Sequence, residues 1–150
     1  MWVGLVALLS AVVVTVAVAG YRRRTDGRFR RVAPTSPAGR SDLLRLSESD
    51  LGRPLGRDAT VVQFSSEFCA PCRAAERIIT DAVAGHDGVR YVDLDSAHRM
   101  DLVRRLNILR TPTVVITDRT GRVVTRTVGV PTKQSLHQSV QAALSAGVSR

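Results

Sequence analysis

The 150-residue chain contains few of the residues on which several common classes of protein depend. Two cysteines are too few for a secreted scaffold held by several disulfides, and too few for a cysteine-rich zinc fold. Aromatic residues make up 4% of the sequence, and beyond residue 45 they are Phe64, Phe68 and Tyr91. A nucleic-acid-binding module needs a basic stripe on its folded part, usually with aromatic side chains for stacking, so we expect no nucleic-acid partner.

Charged residues are absent from the stretch Met1–Tyr21, which is almost wholly aliphatic. A helix of about 20 such residues can cross a bilayer, and Trp2 and Tyr21 stand at its ends, where the membrane interface favours aromatic rings. A core helix would normally keep a polar stripe. A cleaved signal peptide would fit Ala17-Val18-Ala19, but no Lys or Arg precedes the run. We predict a retained transmembrane anchor at residues 1–21.

Positive charge is concentrated directly after this run. Residues 22–45 carry eight Arg and two Asp, a net charge of +6, which leaves +3 of the total of +9 for the rest. Basic flanks stay in the cytoplasm, so we predict the N-terminus outside and everything after Tyr21 inside, with the arginines on anionic headgroups. Because residues 22–45 mix Arg with Pro, Gly and Ser, they are predicted to form a flexible linker before a domain at residues 46–150.

Strand and helix patterns alternate along this domain in the order β-α-β-α-β-β-α. Short β-branched segments predict strands, and apolar residues three and four apart predict helices. The predicted elements are a strand at Thr60–Ser65, a helix from Cys72 that stops at Gly85, a strand at Val89–Leu94, a helix capped by Ser96 with Leu102, Val103 and Leu106 on one face, strands at Thr113–Thr117 and Arg122–Val128, and a helix capped by Thr132 that ends near Gly147. A turn is predicted at residues 118–121, and Leu43–Leu55 is either a short helix or an edge strand. This order predicts an α/β fold with a central mixed sheet flanked by helices.

Both cysteines lie in one tetrapeptide, Cys69-Ala70-Pro71-Cys72, between the first predicted strand of the domain and the following helix. The first turn of a helix offers unpaired N–H groups and the positive end of the helix dipole, which stabilise a thiolate, and Arg73 adds positive potential. Pro71 suits this turn because its missing N–H loses no partner there. We therefore predict that Cys69 is an exposed nucleophile and that Cys72 is the buried thiol that resolves the mixed disulfide.

Other uses of a cysteine pair fit the sequence less well. Zinc needs four ligands, and His86, His98 and His137 show no ligand spacing. A c-type haem needs a histidine where Arg73 stands. A purely structural disulfide would close a loop too small to stabilise the fold much. We expect no metal and no cofactor apart from the redox-active cysteine pair.

The sequence resembles the thioredoxin family over about residues 50–147, and specifically its membrane-tethered members. The segments that carry the resemblance are VVQFSSEFCAPCR, VRYVDLD and LNILRTPTVVITDRTGRVV. The resemblance implies a thioredoxin-like fold in which Pro112 follows a cis peptide bond and faces the CxxC motif. It also implies that Thr111 offers its backbone to an extended substrate segment. The residues expected to support the two cysteines are Phe68, Ala70, Pro71, Arg73, Thr111 and Pro112.

Three positions depart from the family pattern. Gln63 stands where the family has a buried acid that is thought to help deprotonate the resolving cysteine, and glutamine cannot take a proton. Phe68 replaces the tryptophan before the first cysteine, and Tyr91 occupies the place of a lysine that commonly pairs with the acid. We therefore hypothesise that resolution by Cys72 is slower, and the activity narrower, than in a standard thioredoxin.

The resemblance implies a membrane-anchored thiol–disulfide oxidoreductase whose domain faces the cytoplasm and reduces protein disulfides. Its electrons would come from a thioredoxin-reductase-like donor or another dithiol protein. Two alternatives stay open: a non-catalytic binding or chaperone-like module, and an extracytoplasmic thiol reductase of the cytochrome-maturation type with the opposite topology. A glutaredoxin fits less well, because Ala70-Pro71 replaces its usual aromatic residue, and no Pro-x-x-x-Thr-x-x-Cys motif of a peroxiredoxin is present.

Overall fold

The computed structural model describes residues 2–25, 27–31 and 44–148. The helices within these ranges are α1 (Trp2–Thr25), α2 (Glu48–Leu51), α3 (Ala70–Val83), α4 (Met100–Arg105) and α5 (Lys133–Val148). The strands are β1 (Arg30–Arg31), β2 (Ala59–Ser65), β3 (Val89–Asp95), β4 (Thr113–Asp118) and β5 (Val123–Val128). From β2 onward this is the element order that the sequence predicts.

The five strands form one mixed sheet in the order β1-β5-β4-β2-β3. Strand β2 pairs with β3 in parallel, and the other neighbouring strands are antiparallel. The parallel pair needs a helical crossover, which α3 supplies, whereas β4 and β5 are joined by a short turn. The predicted mixed sheet is therefore confirmed.

Apolar side chains of the central strands form a core on each face of the sheet, because successive residues of a strand point to opposite faces. On one face, Val61 packs with the apolar side chains of α3 and α5, including Ile79 and Leu136. On the other face, Val62 and Phe64 pack with residues of α2, α4 and the loops beside them. The helices thus cover both faces of the sheet, and α3 packs against the face that carries Val61 of β2.

The turn between β4 and β5 is built around Asp118, whose carboxylate accepts hydrogen bonds from the backbone N–H groups of Thr120 and Arg122. It also accepts from the Thr120 hydroxyl and pairs with the Arg122 side chain at 3.2 Å. Gly121 has φ +80°, and a Cβ there would lie 1.9 Å from the Leu46 carbonyl oxygen, so the turn requires glycine. The predicted turn is confirmed.

The predicted cap of α4 is wrong. The helix begins at Met100 with Arg99 at its N-cap and no side-chain cap. Ser96 lies in the turn that follows β3, where its backbone N–H donates to the Ser65 carbonyl. In that turn Asp95 is the residue whose carboxylate accepts a backbone N–H, from Ala97 at 2.8 Å. The Asp95 side chain thus stabilises this turn, and Ser96 contributes its backbone N–H rather than its hydroxyl.

The region before β2 carries more structure than the sequence predicts. Within the predicted linker, Arg30–Arg31 forms β1 and pairs with β5. The Gly27 N–H donates to the Val128 carbonyl at 2.8 Å, and Phe29 packs against the core on the α3 side of the sheet. Of the segment Leu43–Leu55, residues 48–51 form the short helix α2, while residues 32–43 lie outside the described ranges.

The N-terminal apolar run forms the helix α1. Among the residues that the structure describes, no helix combines the length and the apolar character needed to cross a membrane. The predicted transmembrane anchor at residues 1–21 is therefore not supported by the structure.

Candidate active site

Cys69 and Cys72 form a disulfide at the N-terminus of α3, with their Cα atoms 5.2 Å apart. Cys69 is the N-cap residue of this helix, and its Sγ accepts a hydrogen bond from the Cys72 backbone N–H at 3.1 Å. Pro71 occupies the first turn, as the sequence predicts. The local sequence therefore places the Cys69 sulfur where the helix offers unpaired N–H groups, the position that favours a thiolate after reduction.

The predicted contrast in exposure between the two cysteines is smaller than expected. Cys69 is 8% exposed and Cys72 is 4% exposed, so both are buried in the oxidised form. The expectation that Cys69 is exposed is wrong for this oxidised form, in which its sulfur is bonded to Cys72 and caps the first turn of α3. Cys72 is buried, as predicted, and Cys69 keeps only a slightly larger exposed fraction.

The Thr111–Pro112 peptide bond is cis, as the family resemblance implies. The Thr111 hydroxyl lies 3.1 Å from the hydroxyl of Ser66, in the loop between β2 and the cysteines. Pro112 itself is buried, and its carbonyl accepts the Gly129 N–H at 2.8 Å. The structure thus brings the proline loop and the loop before the cysteines together, although they are more than 40 residues apart in the chain.

The remaining predicted support residues surround the disulfide at the surface. Ala70, Pro71 and Arg73 are exposed on the first turns of α3, and Arg73 lines a cleft beside the disulfide. Phe68, directly before Cys69, is 92% exposed. An aromatic ring so fully exposed at the nucleophile is available to contact an incoming polypeptide.

Gln63 of β2 is 1% exposed and contacts the first turn of α3. Its Nε2 donates to the Cys72 carbonyl at 3.2 Å, while its Oε1 has no hydrogen-bond partner among the described residues. Tyr91 of β3 is also buried at its hydroxyl, and burial together with the charges of Asp93 and Glu76 raises its pKa far above the ordinary range. Neither residue can serve as a proton acceptor for Cys72 near neutral pH.

One acidic residue near the cysteines was not singled out from the sequence. Asp93 of β3 is the register partner of Gln63, and both residues line the cleft beside the disulfide. Burial, and then the charges of Glu76 and Asp95, raise the pKa of Asp93 above its usual value despite the hydrogen bond from Ser65. The signal that would have found it is the alternation in β3, which places Tyr91, Asp93 and Asp95 on one face.

In the described part of the chain, no group of three or more His, Cys, Asp and Glu side chains is placed to hold a metal ion. The chemistry that the arrangement itself offers is thiol–disulfide exchange, since two sulfurs lie in bonding distance at a helix N-terminus.

The thioredoxin family model matches residues 49–142, and the chain therefore belongs to the thioredoxin family. Among curated proteins, it is 32% identical to thioredoxin H2 of Arabidopsis thaliana over 80 residues, which cover 53% of this chain and 59% of that protein. It is 29% identical to putative thioredoxin H10 of the same plant over 83 residues, 55% of this chain and 53% of that protein. The chain thus spans between half and three fifths of these relatives.

Solved structures agree with this assignment. The crystal structure of the thioredoxin NaTrxh from Nicotiana alata matches with a TM-score of 0.52 and 25% identity, covering 58% of this chain and 74% of that one. The matched region is the thioredoxin-like domain, so the predicted α/β fold of this domain is confirmed.

Proposed function

We propose that this protein is a thiol–disulfide oxidoreductase that reduces the disulfides of other proteins through Cys69 and Cys72. The observation that supports the proposal most strongly is the disulfide at the start of α3, where the Cys69 sulfur caps the helix. A helix N-terminus favours an anion at that point, because its N–H groups and dipole stabilise negative charge. The reduced form would therefore present Cys69 as a thiolate at neutral pH.

The proposed cycle begins with the dithiol form. The Cys69 thiolate attacks one sulfur of a substrate disulfide, the substrate S–S bond breaks, and the first substrate thiolate leaves. Cys72 then loses its proton and attacks the Cys69 sulfur, which breaks the mixed disulfide and releases the second substrate thiolate. The substrate has gained two electrons, and the protein holds the Cys69–Cys72 disulfide. A thioredoxin-reductase-like enzyme or another dithiol protein would return the two electrons.

The substrate in this proposal is an extended polypeptide segment beside the disulfide. Thr111 would pair with it through backbone hydrogen bonds, because its loop is held next to the cysteine loop by the contact with Ser66. The exposed ring of Phe68 would cover an apolar side chain of the same segment. Disulfides within proteins suit such a site better than the disulfides of small molecules, which could use neither contact.

Trapping of the mixed disulfide tests this proposal. A Cys72→Ser variant keeps the nucleophile but cannot resolve, so it should accumulate disulfide-linked partners that a reducing agent releases. The matched control is Cys69→Ser, which keeps Cys72 and should trap far fewer partners. If both variants trap equally little and the unmodified protein fails to reduce insulin in the presence of dithiothreitol, the oxidoreductase proposal is wrong and a non-catalytic binding module is favoured.

Membrane attachment through residues 1–21 is a separate part of the proposal. It is supported by the uncharged run in the sequence and by the exposed apolar side chains along α1, among them Leu8, Leu9 and Val12. Exposed apolar surface of this extent is typical of a segment that contacts lipid or another protein. The exposed arginines Arg28, Arg30 and Arg31 follow it and would contact anionic headgroups.

Fractionation of cells tests the attachment. The full chain should stay with membranes during alkaline extraction, and Val12→Arg should weaken this, since an arginine at the centre of a span costs about 2.5–3.5 kcal/mol. The matched control is Leu109→Arg, the same kind of change at an exposed apolar residue of the domain, which should not alter fractionation. Recovery of the unmodified chain in the extracted soluble fraction would contradict membrane attachment.

A cytoplasmic position of the domain is proposed from the arginines that follow residue 21. Charge asymmetry of this kind keeps the basic flank inside. After mild reduction of intact cells, a membrane-impermeant thiol reagent should label Cys69 only once the cells are permeabilised, and a Cys69→Ser, Cys72→Ser double variant provides the blank. Strong labelling of intact cells would instead favour the extracytoplasmic thiol reductase.

A further inference from the structure

The family carries an acid on β2 at the position of Gln63, and in this chain the adjacent strand β3 carries an acid, Asp93. β2 and β3 are parallel, and Gln63 is the register partner of Asp93. Both side chains lie on the face of the sheet that α3 covers, because Val61 and Tyr91, two residues earlier on each strand, belong to the core beneath α3. The carboxylate missing at position 63 is therefore present one strand away.

Gln63 lies between Asp93 and the cysteine helix. Gln63 donates from Nε2 to the Cys72 carbonyl at 3.2 Å, and its side chain lies beside the Asp93 carboxylate, whose pKa it lowers slightly. The Ser65 hydroxyl donates to Asp93 Oδ2 at 3.0 Å, which fixes the carboxylate from the β2 side. Gln63 is thus a bridge between Asp93 and the residue that must be deprotonated.

A cleft of about 340 Å³ joins Asp93 to both cysteines and is open to solvent. The charged groups that face Asp93 in it are Arg73 and Glu76 from α3, Asp95 from β3 and Glu67 from the loop before the cysteines. A polar cleft of this size holds several water molecules, so a proton can pass between Cys72 and Asp93 through water.

The environment of Asp93 suits a proton acceptor. Partial burial and the negative charges of Glu76 and Asp95 raise its pKa, so its affinity for a proton is higher than that of an ordinary aspartate. A base is more effective when its pKa moves toward the working pH. Tyr91 lies near Asp93 but keeps its own proton, because burial and nearby negative charge raise its pKa even further above neutral.

We propose that Asp93 accepts the proton of Cys72 through water during resolution, in place of the acid that the family carries at position 63, and that Gln63 positions it. The inference depends on the proposed oxidoreductase function. In the step, the Cys72 proton moves to Asp93, the Cys72 sulfur attacks the Cys69 sulfur, and the bond between Cys69 and the substrate sulfur breaks. The substrate leaves as a thiolate with the electron pair, and Asp93 returns the proton to solvent.

The reaction of the fully reduced protein with dithiobis-nitrobenzoate separates the two steps. The first nitrothiobenzoate is released when Cys69 attacks, and the second is released when Cys72 resolves the mixed disulfide. Asp93→Asn should leave the first release unchanged and slow the second by about tenfold or more near neutral pH, since a positioned base typically contributes at least that much. In the unmodified protein the second release should slow as the pH falls through the Asp93 pKa, and this dependence should be lost in the variant.

Two further variants separate proton transfer from a loss of structure. Glu76→Gln removes a negative charge from the same cleft but keeps Asp93. Because Glu76 raises the pKa of Asp93, the pH at which the second release slows should move lower in this variant, and the slowing should still occur. Gln63→Asp added to Asp93→Asn should restore at least part of the second release, because it returns a carboxylate to β2.

Each outcome distinguishes the two proposals. An unchanged second release and pH profile in Asp93→Asn, or an equal slowing of both releases, would overturn the role of Asp93. If the unmodified protein releases no nitrothiobenzoate at all, the proposed oxidoreductase function itself fails.

Discussion

Cys69 combines a structural role, as the N-cap of α3, with the proposed role of nucleophile. As the N-cap of α3 it supplies an acceptor for the Cys72 N–H, a role that Ser, Thr, Asp or Asn usually fills. As a thiol in the reduced form it would, in the proposed cycle, be the first sulfur to react with a substrate. The hydrogen bond that caps the helix is also the one that would stabilise the attacking anion, so structure and reactivity depend on the same contact.

At the same scale, Asp93→Asn should make the fold more stable at neutral pH while it slows resolution. Because the folded-state pKa of Asp93 is raised above the ordinary 3.8, the ionised carboxylate opposes folding at pH values above the folded pKa. The gain in the free energy of unfolding should shrink as the pH falls through that pKa, and vanish below 3.8, where the carboxyl is protonated in both states. Urea denaturation of both proteins across this range measures it.

The outcome that would contradict this account is a variant less stable than the original protein at neutral pH. That result would mean that the hydrogen bond from Ser65 outweighs the burial and repulsion at Asp93.

At the scale of elements, the sequence predicts well those features that are written in short contiguous patterns. β2, β4 and the turn at Asp118 follow from β-branched runs and turn residues, and α3 follows from its apolar spacing and Pro71. The cysteine site is similarly local. Features that depend on distant partners were not predictable: β1 exists because β5 offers it an open edge, and Asp93 matters because the register of β3 places it beside Gln63.

The turn between β4 and β5 should contribute measurably to stability through Asp118. Burial alone would raise the pKa of this carboxyl, but hydrogen bonds from Thr120 and Arg122 outweigh it and lower the pKa. Asp118→Ala leaves these donors without their acceptor and should cost about 2–3 kcal/mol at neutral pH. Since the folded pKa is depressed, the contribution is present above pH 3.8 and is lost as the pH falls through the folded pKa.

The matched control for this measurement is Asp81→Ala. Asp81 pairs with Lys133 at 3.0 Å, but both side chains are well exposed, so its removal should cost no more than about 1 kcal/mol. Equal losses in the two variants, measured by chemical denaturation, would mean that the Asp118 network adds nothing beyond a surface ion pair.

At the scale of the whole molecule, the segment after α1 is part of the domain and not only a tether. β1 extends the sheet, the Gly27 N–H reaches the Val128 carbonyl, and Phe29 packs on the core. A chain that begins at residue 32 should therefore be less stable than one that begins at residue 26, by about 1–3 kcal/mol, because it loses strand pairing and a partly buried aromatic ring. Equal free energies of unfolding would show that residues 27–31 act only as the linker that the sequence predicts.

The account as a whole depends on the acidity of one sulfur. The rate of alkylation of reduced Cys69 by iodoacetamide, measured against pH in the Cys72→Ser variant, titrates that thiol alone. The capped start of α3 predicts a pKa below that of a free cysteine. A pKa at or above that of free cysteine would contradict the claim that the helix prepares Cys69 as a nucleophile.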